Sequence, residues 1–104
     1  MLNLITMLSV LTITLQGFVS NSDEPGKFGF DWNSFTHTVV RVHKGSPADE
    51  EGILPGDKII EVDGDPHKQL DDYAGLPAIL TILRKDVILK IVVIRVPNRE
   101  INWK

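Results

Sequence analysis

The sequence contains no cysteine. That excludes a disulfide framework and a thiolate metal site, and it names no compartment. Its three histidines, His37, His43 and His67, have no local ligand spacing, so no metal is expected. Neither G-x-S-x-G nor H-E-x-x-H occurs, so neither a hydrolase nucleophile nor a zinc-protease helix is marked. The reading is therefore of a non-enzyme without cofactors. A basic stripe is also missing: 11 basic residues are scattered against 14 acidic ones, for a net charge of −3. Nothing there would neutralise a phosphate backbone, so nucleic acid is not an expected partner. Nine of the acidic residues fall between Asp49 and Asp72 and read as a solvated surface.

Charge is absent altogether from the first 22 residues, "MLNLITMLSVLTITLQGFVSNS". Two readings of residues 1–22 stand side by side. One is a signal or anchor segment, which would place the chain outside the cytoplasm and give it its only contact with a membrane; the usual basic start is missing. The other is a first strand, since Leu11, Ile13 and Leu15 alternate with Thr12, Thr14 and Gln16. On the strand reading nothing directs the chain out of the cytoplasm.

With 104 residues the chain is one small domain. "GFVSNSDEPGK" reads as a loop, Phe28–Trp32 as a short strand and Thr38–His43 as another, with Val40 and Val42 on one face. In "KGSPADEEGILPGD", Ser46 is placed to cap a helix, Pro47 to open it, Asp49 to complete a capping box and Gly52 to stop it. "KIIEVDG" is a strand ending in a turn signal. "LPAILTILRK" has apolar residues at 76, 79, 80 and 83, the spacing of a second, longer helix. "DVILKIVVIRV" reads as a central strand buried on both faces, and residues 98–104 as a polar tail with Trp103 loosely placed. The sum is an α+β fold: a five- to six-stranded, partly open barrel or sandwich capped by one short and one longer helix.

The stretch "GKFGF" puts a glycine between two aromatics. Alone, Phe28, Phe30 and Trp32 at period two would pack one face of a strand in any fold. The order of signals, however, resembles a PDZ domain over residues 27–96, with the domain itself taken as residues 23–97. "KFGF" resembles that family's carboxylate-binding loop, and "KGSPADEEGILPGDKIIEVDGDP" its central segment in the form found in proteases of bacterial type. The resemblance implies a peptide-binding module that adds a partner's C-terminal or extended segment to its second strand. It implies that Lys27, Phe28, Gly29 and Phe30 hold the terminal carboxylate through backbone N–H groups. Phe28, Phe30, Trp32 and Leu83 would line the pocket for the last side chain, with Asp31 and Asn33 alternating to the other side of the strand. Leu76, at the start of the second helix, would select the third-from-last residue, with Leu80 one turn further along the groove, giving a hydrophobic Φ-x-Φ terminus. Bulky Trp32 would favour Val, Ala or Leu at its end. A change of Gly29 to Val would then abolish binding with little loss of fold. Two further readings go with the resemblance: a regulatory or substrate-tethering domain of a larger protease, and a PDZ-like packing or dimerisation domain without an active groove.

Overall fold

The computed structural model describes residues 24–104. The two readings of residues 1–22 lie outside the described residues. Strands β1 (Pro25–Lys27), β2 (Phe30–Asn33) and β3 (Thr38–Val42) are followed by the short helix α1 (Pro47–Glu50) and β4 (Lys58–Val62). Then come β5 (Asp72–Tyr73), β6 (Pro77–Arg84), β7 (Val87–Ile94), β8 (Val96–Pro97) and a single 3-10 turn, Asn98–Glu100. Five strands form one antiparallel sheet in the order β2-β3-β4-β6-β7; three short ones form a second, β5-β1-β8. Among the described residues the fold is mostly sheet with little helix.

The most punctuated stretch folds by local rules. Ser46 accepts a hydrogen bond from Asp49 N–H, Pro47 starts α1, and Gly52 leaves it at φ +86°. Asp63 and Gly64 both have positive φ, and Val62 and Asp65 exchange both backbone hydrogen bonds, which makes a two-residue hairpin turn.

Residues 77–84 correct the helix expectation. They form β6, paired with β7 at all eight positions from Pro77–Ile94 to Arg84–Val87. The apolar positions fit period two as well as period 3.6: Ala78, Leu80 and Ile82 are buried. The β-branched content and the two-residue connection through Lys85 and Asp86 favour a hairpin over a helix. Strand β7 is not central either. It is the edge of its sheet, with Val93 in the core and Ile88, Val92 and Ile94 exposed.

A further correction concerns β3. Asp31 pairs with Arg41 and Trp32 with Val39, so Val40 is an extra residue on β3 and bulges outward. The bulge resets the alternation: Val39 is buried and Val40 exposed. The core is built from Phe28, Phe30, Val39, Ala48, Ile53, Ile59, Val62, Ala78, Leu80, Ile82 and Val93.

The end of β6 and the loop after α1 are joined by an ion pair whose carboxylate is buried. Asp57, 1% exposed, accepts from Arg84 Nε and Nη2 at 2.8 Å each, and from Leu54 N–H at 2.8 Å. Arg84 Nη2 also donates to Gly52 O at 2.7 Å. Burial alone would raise the Asp57 pKa; the Arg84 hydrogen bonds, the Leu54 N–H and the guanidinium charge outweigh it and hold the carboxyl below its ordinary value. Because the folded pKa is depressed, this contribution is complete above the unfolded carboxylate pKa and disappears as pH falls through the folded one. Replacing Asp57 with Ala is expected to destabilise the fold by about 3 kcal/mol at neutral pH, since it strands a partly buried guanidinium. Urea unfolding at neutral and acid pH measures this, and the difference between variant and wild type should shrink in acid.

Candidate functional site

The turn between β1 and β2 consists of Phe28 and Gly29. Gly29 has φ +97°, and a Cβ built there would lie 2.1 Å from Ser46 Cβ. The turn is tied down through its carbonyls. Phe28 O accepts from Ala48 N–H at 2.9 Å, and Gly29 O accepts from His43 N–H at 2.8 Å and from Ser46 Oγ at 3.3 Å. Among the described residues, no acceptor takes the N–H groups of Phe28 and Gly29. Successive backbone N–H groups without a protein acceptor are the raw material of an anion-binding nest. The tie to Ser46 also corrects the expectation that Gly29 could become Val with the fold intact: the clash is with the helix cap itself.

The turn opens into a cavity of about 1010 Å³. One wall is Lys27, Phe28, Gly29, Phe30, Asp31 and Trp32; another is Ile59–Val62; the third is the segment Pro66–Asp71. The Phe28 and Phe30 rings stack with centroids 5.8 Å apart, and Trp32 packs on His37 at 5.5 Å. Strand β2 pairs with β3 alone, so among the described residues its other edge is unpaired. The loop residues and Asp31 and Trp32 are thus brought together. Asn33 lies beyond the cavity lining, where its side chain accepts from the N–H groups of Phe35 and Thr36.

The expected helical wall is absent because its residues are in β6. Leu80 is fully buried opposite Val62 and Ile91; Leu83 pairs with Lys58 and Ile88; Leu76 is half-buried just before the strand. None of the three lines the cavity. Segment 66–71 stands there instead, bringing His67, Lys68 and Leu70. Its start is pinned at Asp63, whose carboxylate accepts from Lys68 Nζ at 2.5 Å and from Ile79 N–H at 2.8 Å. The Lys68 hydrogen bond foremost, then that of Ile79, holds the Asp63 carboxyl below its ordinary value.

The far end of segment 66–71 is held by Arg95, a residue the sequence did not mark. Arg95 is 1% exposed. It donates from Nε to Leu70 O at 2.9 Å and from Nη1 to Leu76 O at 3.3 Å, and its guanidinium sits 4.7 Å from the Phe28 ring centroid. Burial lowers its pKa, and the charges of Asp72, Asp63 and Asp71 work against that shift. A Cβ at Gly26 would come within 2.6 Å of Arg95 Cβ, so the first glycine of "GKFGF" makes room for this side chain.

Two more side chains are placed by contacts distant in sequence. His43 is 2% exposed, with Nε2 3.1 Å from Asp31 Oδ2. Trp103 is not loose: it meets the His43 ring edge-on at 4.5 Å and donates to Asn98 O, while Ile101 is buried. Among the described residues no group of three or more His, Asp or Glu side chains could hold a metal ion.

Two variants test this construction. Gly29→Ala is expected to destabilise the fold by about 2–3 kcal/mol, from backbone strain and the Ser46 clash together. Arg95→Met is expected to cost roughly 2–3 kcal/mol by leaving buried carbonyls unpaired. It should also speed amide hydrogen exchange in residues 70–76 more than in β6. Urea unfolding and exchange measured by NMR check both.

Comparison with known proteins agrees with this architecture. The family model described as PDZ domain matches residues 38–77. No curated protein matches. Among solved structures 31 chains match. One is an "HtrA-type protease AlgWS227A with decapeptide", at TM-score 0.60 and 16% identity, covering 88% of this chain and 36% of that one. The chain therefore spans about a third of that protease's length. The resemblance to PDZ domains, those of bacterial proteases among them, holds in the central segment by sequence and across the described residues by fold.

Proposed function

We propose that the chain is a peptide-binding module whose ligand adds as a strand to the free edge of β2 and ends at the Phe28–Gly29 turn. The observation that carries this is a conjunction among the described residues: an unpaired strand edge, a cavity whose mixed lining includes Phe28, Phe30 and Trp32, and two N–H donors without an acceptor at its end. Main-chain pairing along β2 supplies affinity, and the cavity supplies selectivity. The ligand's terminal carboxylate accepts from Phe28 and Gly29 N–H, with Lys27 adding a positive charge beside them. The stacked Phe28 and Phe30 rings exclude water there, which strengthens those hydrogen bonds.

The last ligand side chain is apolar and packs on Phe28, Phe30 and Trp32. The third-from-last side chain faces segment 66–71, with Leu70 as its apolar contact. Selection at that position falls to a loop, since β6 takes the residues that would have formed a helix. The role is binding without catalysis.

Titration of the folded chain with a library of peptides ending in apolar residues, each as free acid and as amide, tests the reading through Trp32 fluorescence. Amidation is expected to weaken binding at least tenfold, roughly 1.4 kcal/mol. Equal affinities would remove the carboxylate from the recognition. Lys27→Ala is expected to weaken the free acid and leave the amide unchanged.

A further inference from the structure

A second surface lies at the opposite end of the sheet. Strand β7 is eight residues long and, among the described residues, pairs only with β6. Its outward positions are Ile88, Lys90, Val92 and Ile94, with Ile79 of β6 paired to Val92. Ile79, Ile88, Val92 and Ile94 are each 45–61% exposed. Edge strands are normally shielded by charge, proline, a bulge, shortness or a covering helix or loop, and here α1 touches β7. β7 has one lysine, no proline, and an unbroken register along its paired side. Beside it runs a groove of about 540 Å³ between Val92, Ile94 and Val96 on one side and Pro47, Glu50 and Glu51 of the α1 region on the other.

We propose that β7 is a self-association edge, and that two copies pair it antiparallel about a two-fold axis at Ile91. That register sets residues 88–94 of one copy against 94–88 of the other. Only an axis through a residue, rather than between two, places like faces together in this way. Ile88 then opposes Ile94, and Lys90 opposes Val92, twice each.

The charges select this occupant. Val92 lines the groove that carries Glu50 and Glu51, so each copy's Lys90 reaches the acidic pair of the other. Both acids are exposed, and neither has an ion-pair partner among the described residues. One surface thus carries both halves of the complementarity, as a two-fold interface requires. Because β2 and β7 end the sheet order on opposite sides, the pair would form a continuous ten-stranded sheet with a free β2 edge at each end. Such a dimer presents two peptide grooves at a fixed spacing, and a partner with two termini would gain avidity.

Sedimentation equilibrium of the full chain tests this. The expected result is a monomer–dimer equilibrium that weakens at least tenfold in Lys90→Glu. The triple variant Lys90→Glu, Glu50→Lys, Glu51→Lys should recover it. Val92→Lys with Ile94→Lys should leave a monomer that is still folded by circular dichroism and still binds peptide. A chain that stays monomeric at millimolar concentration overturns the proposal. So does self-association that all of these variants leave unchanged, which would place it on another segment. Loss of peptide binding by the monomeric variant would overturn the independence of the two edges.

Discussion

One buried guanidinium holds the two sides of the cavity together. Arg95 leaves the end of β7, passes the bare backbone of Gly26, lies over Phe28 and binds the carbonyls of Leu70 and Leu76. A cation taken out of water is stabilised only where several acceptors converge on it. Those acceptors belong to the segment that walls the cavity. The ring beneath it belongs to the turn at the cavity's end. Placing one side chain therefore sets the distance between the two. The three aspartates that bias Arg95, at 63, 71 and 72, come from the same acidic stretch that composition alone reads as a solvated surface.

The turn is fixed from the other side by α1. Its carbonyls are taken by Ala48, His43 and Ser46, while among the described residues its N–H groups have no acceptor. A four-residue helix cannot be stable alone, and this one is held by its cap and by the fully buried Ala48. Helix and turn thus support each other, and Gly29 is required twice over, for its positive φ and for the approach of Ser46. The two edges of the sheet, unpaired among the described residues, differ in character. β2 borders a cavity lined by aromatics; β7 presents aliphatic side chains beside two glutamates.

Legibility followed the range of the interactions. Residues 45–65 were readable because caps, turns and positive-φ glycines act over three or four residues. The resemblance to PDZ domains rested on the same stretch. Residues 76–85 were misread because their apolar positions satisfy both periods, and the deciding partner, β7, lies beyond the window that a helix pattern samples. β7 was misread as central because β-branched residues suit a strand but do not say how many neighbours it has. His43 gave no signal either: one of the groups that pack on it is Trp103, sixty residues away.

By itself, then, the sequence determined the local punctuation: the cap at Ser46, the turn at Asp63 and Gly64, the glycine between two aromatics, and the family those residues resemble. Tertiary structure decided what surrounds them. It made β6 a strand, so that the cavity is walled by a loop instead of a helix. It left β7 as an edge, and it placed Arg95 beneath both sides of the cavity. The physical reason is that capping and turn geometry are satisfied by near neighbours. Strand pairing and the burial of a charge depend on groups that only the folded chain brings together.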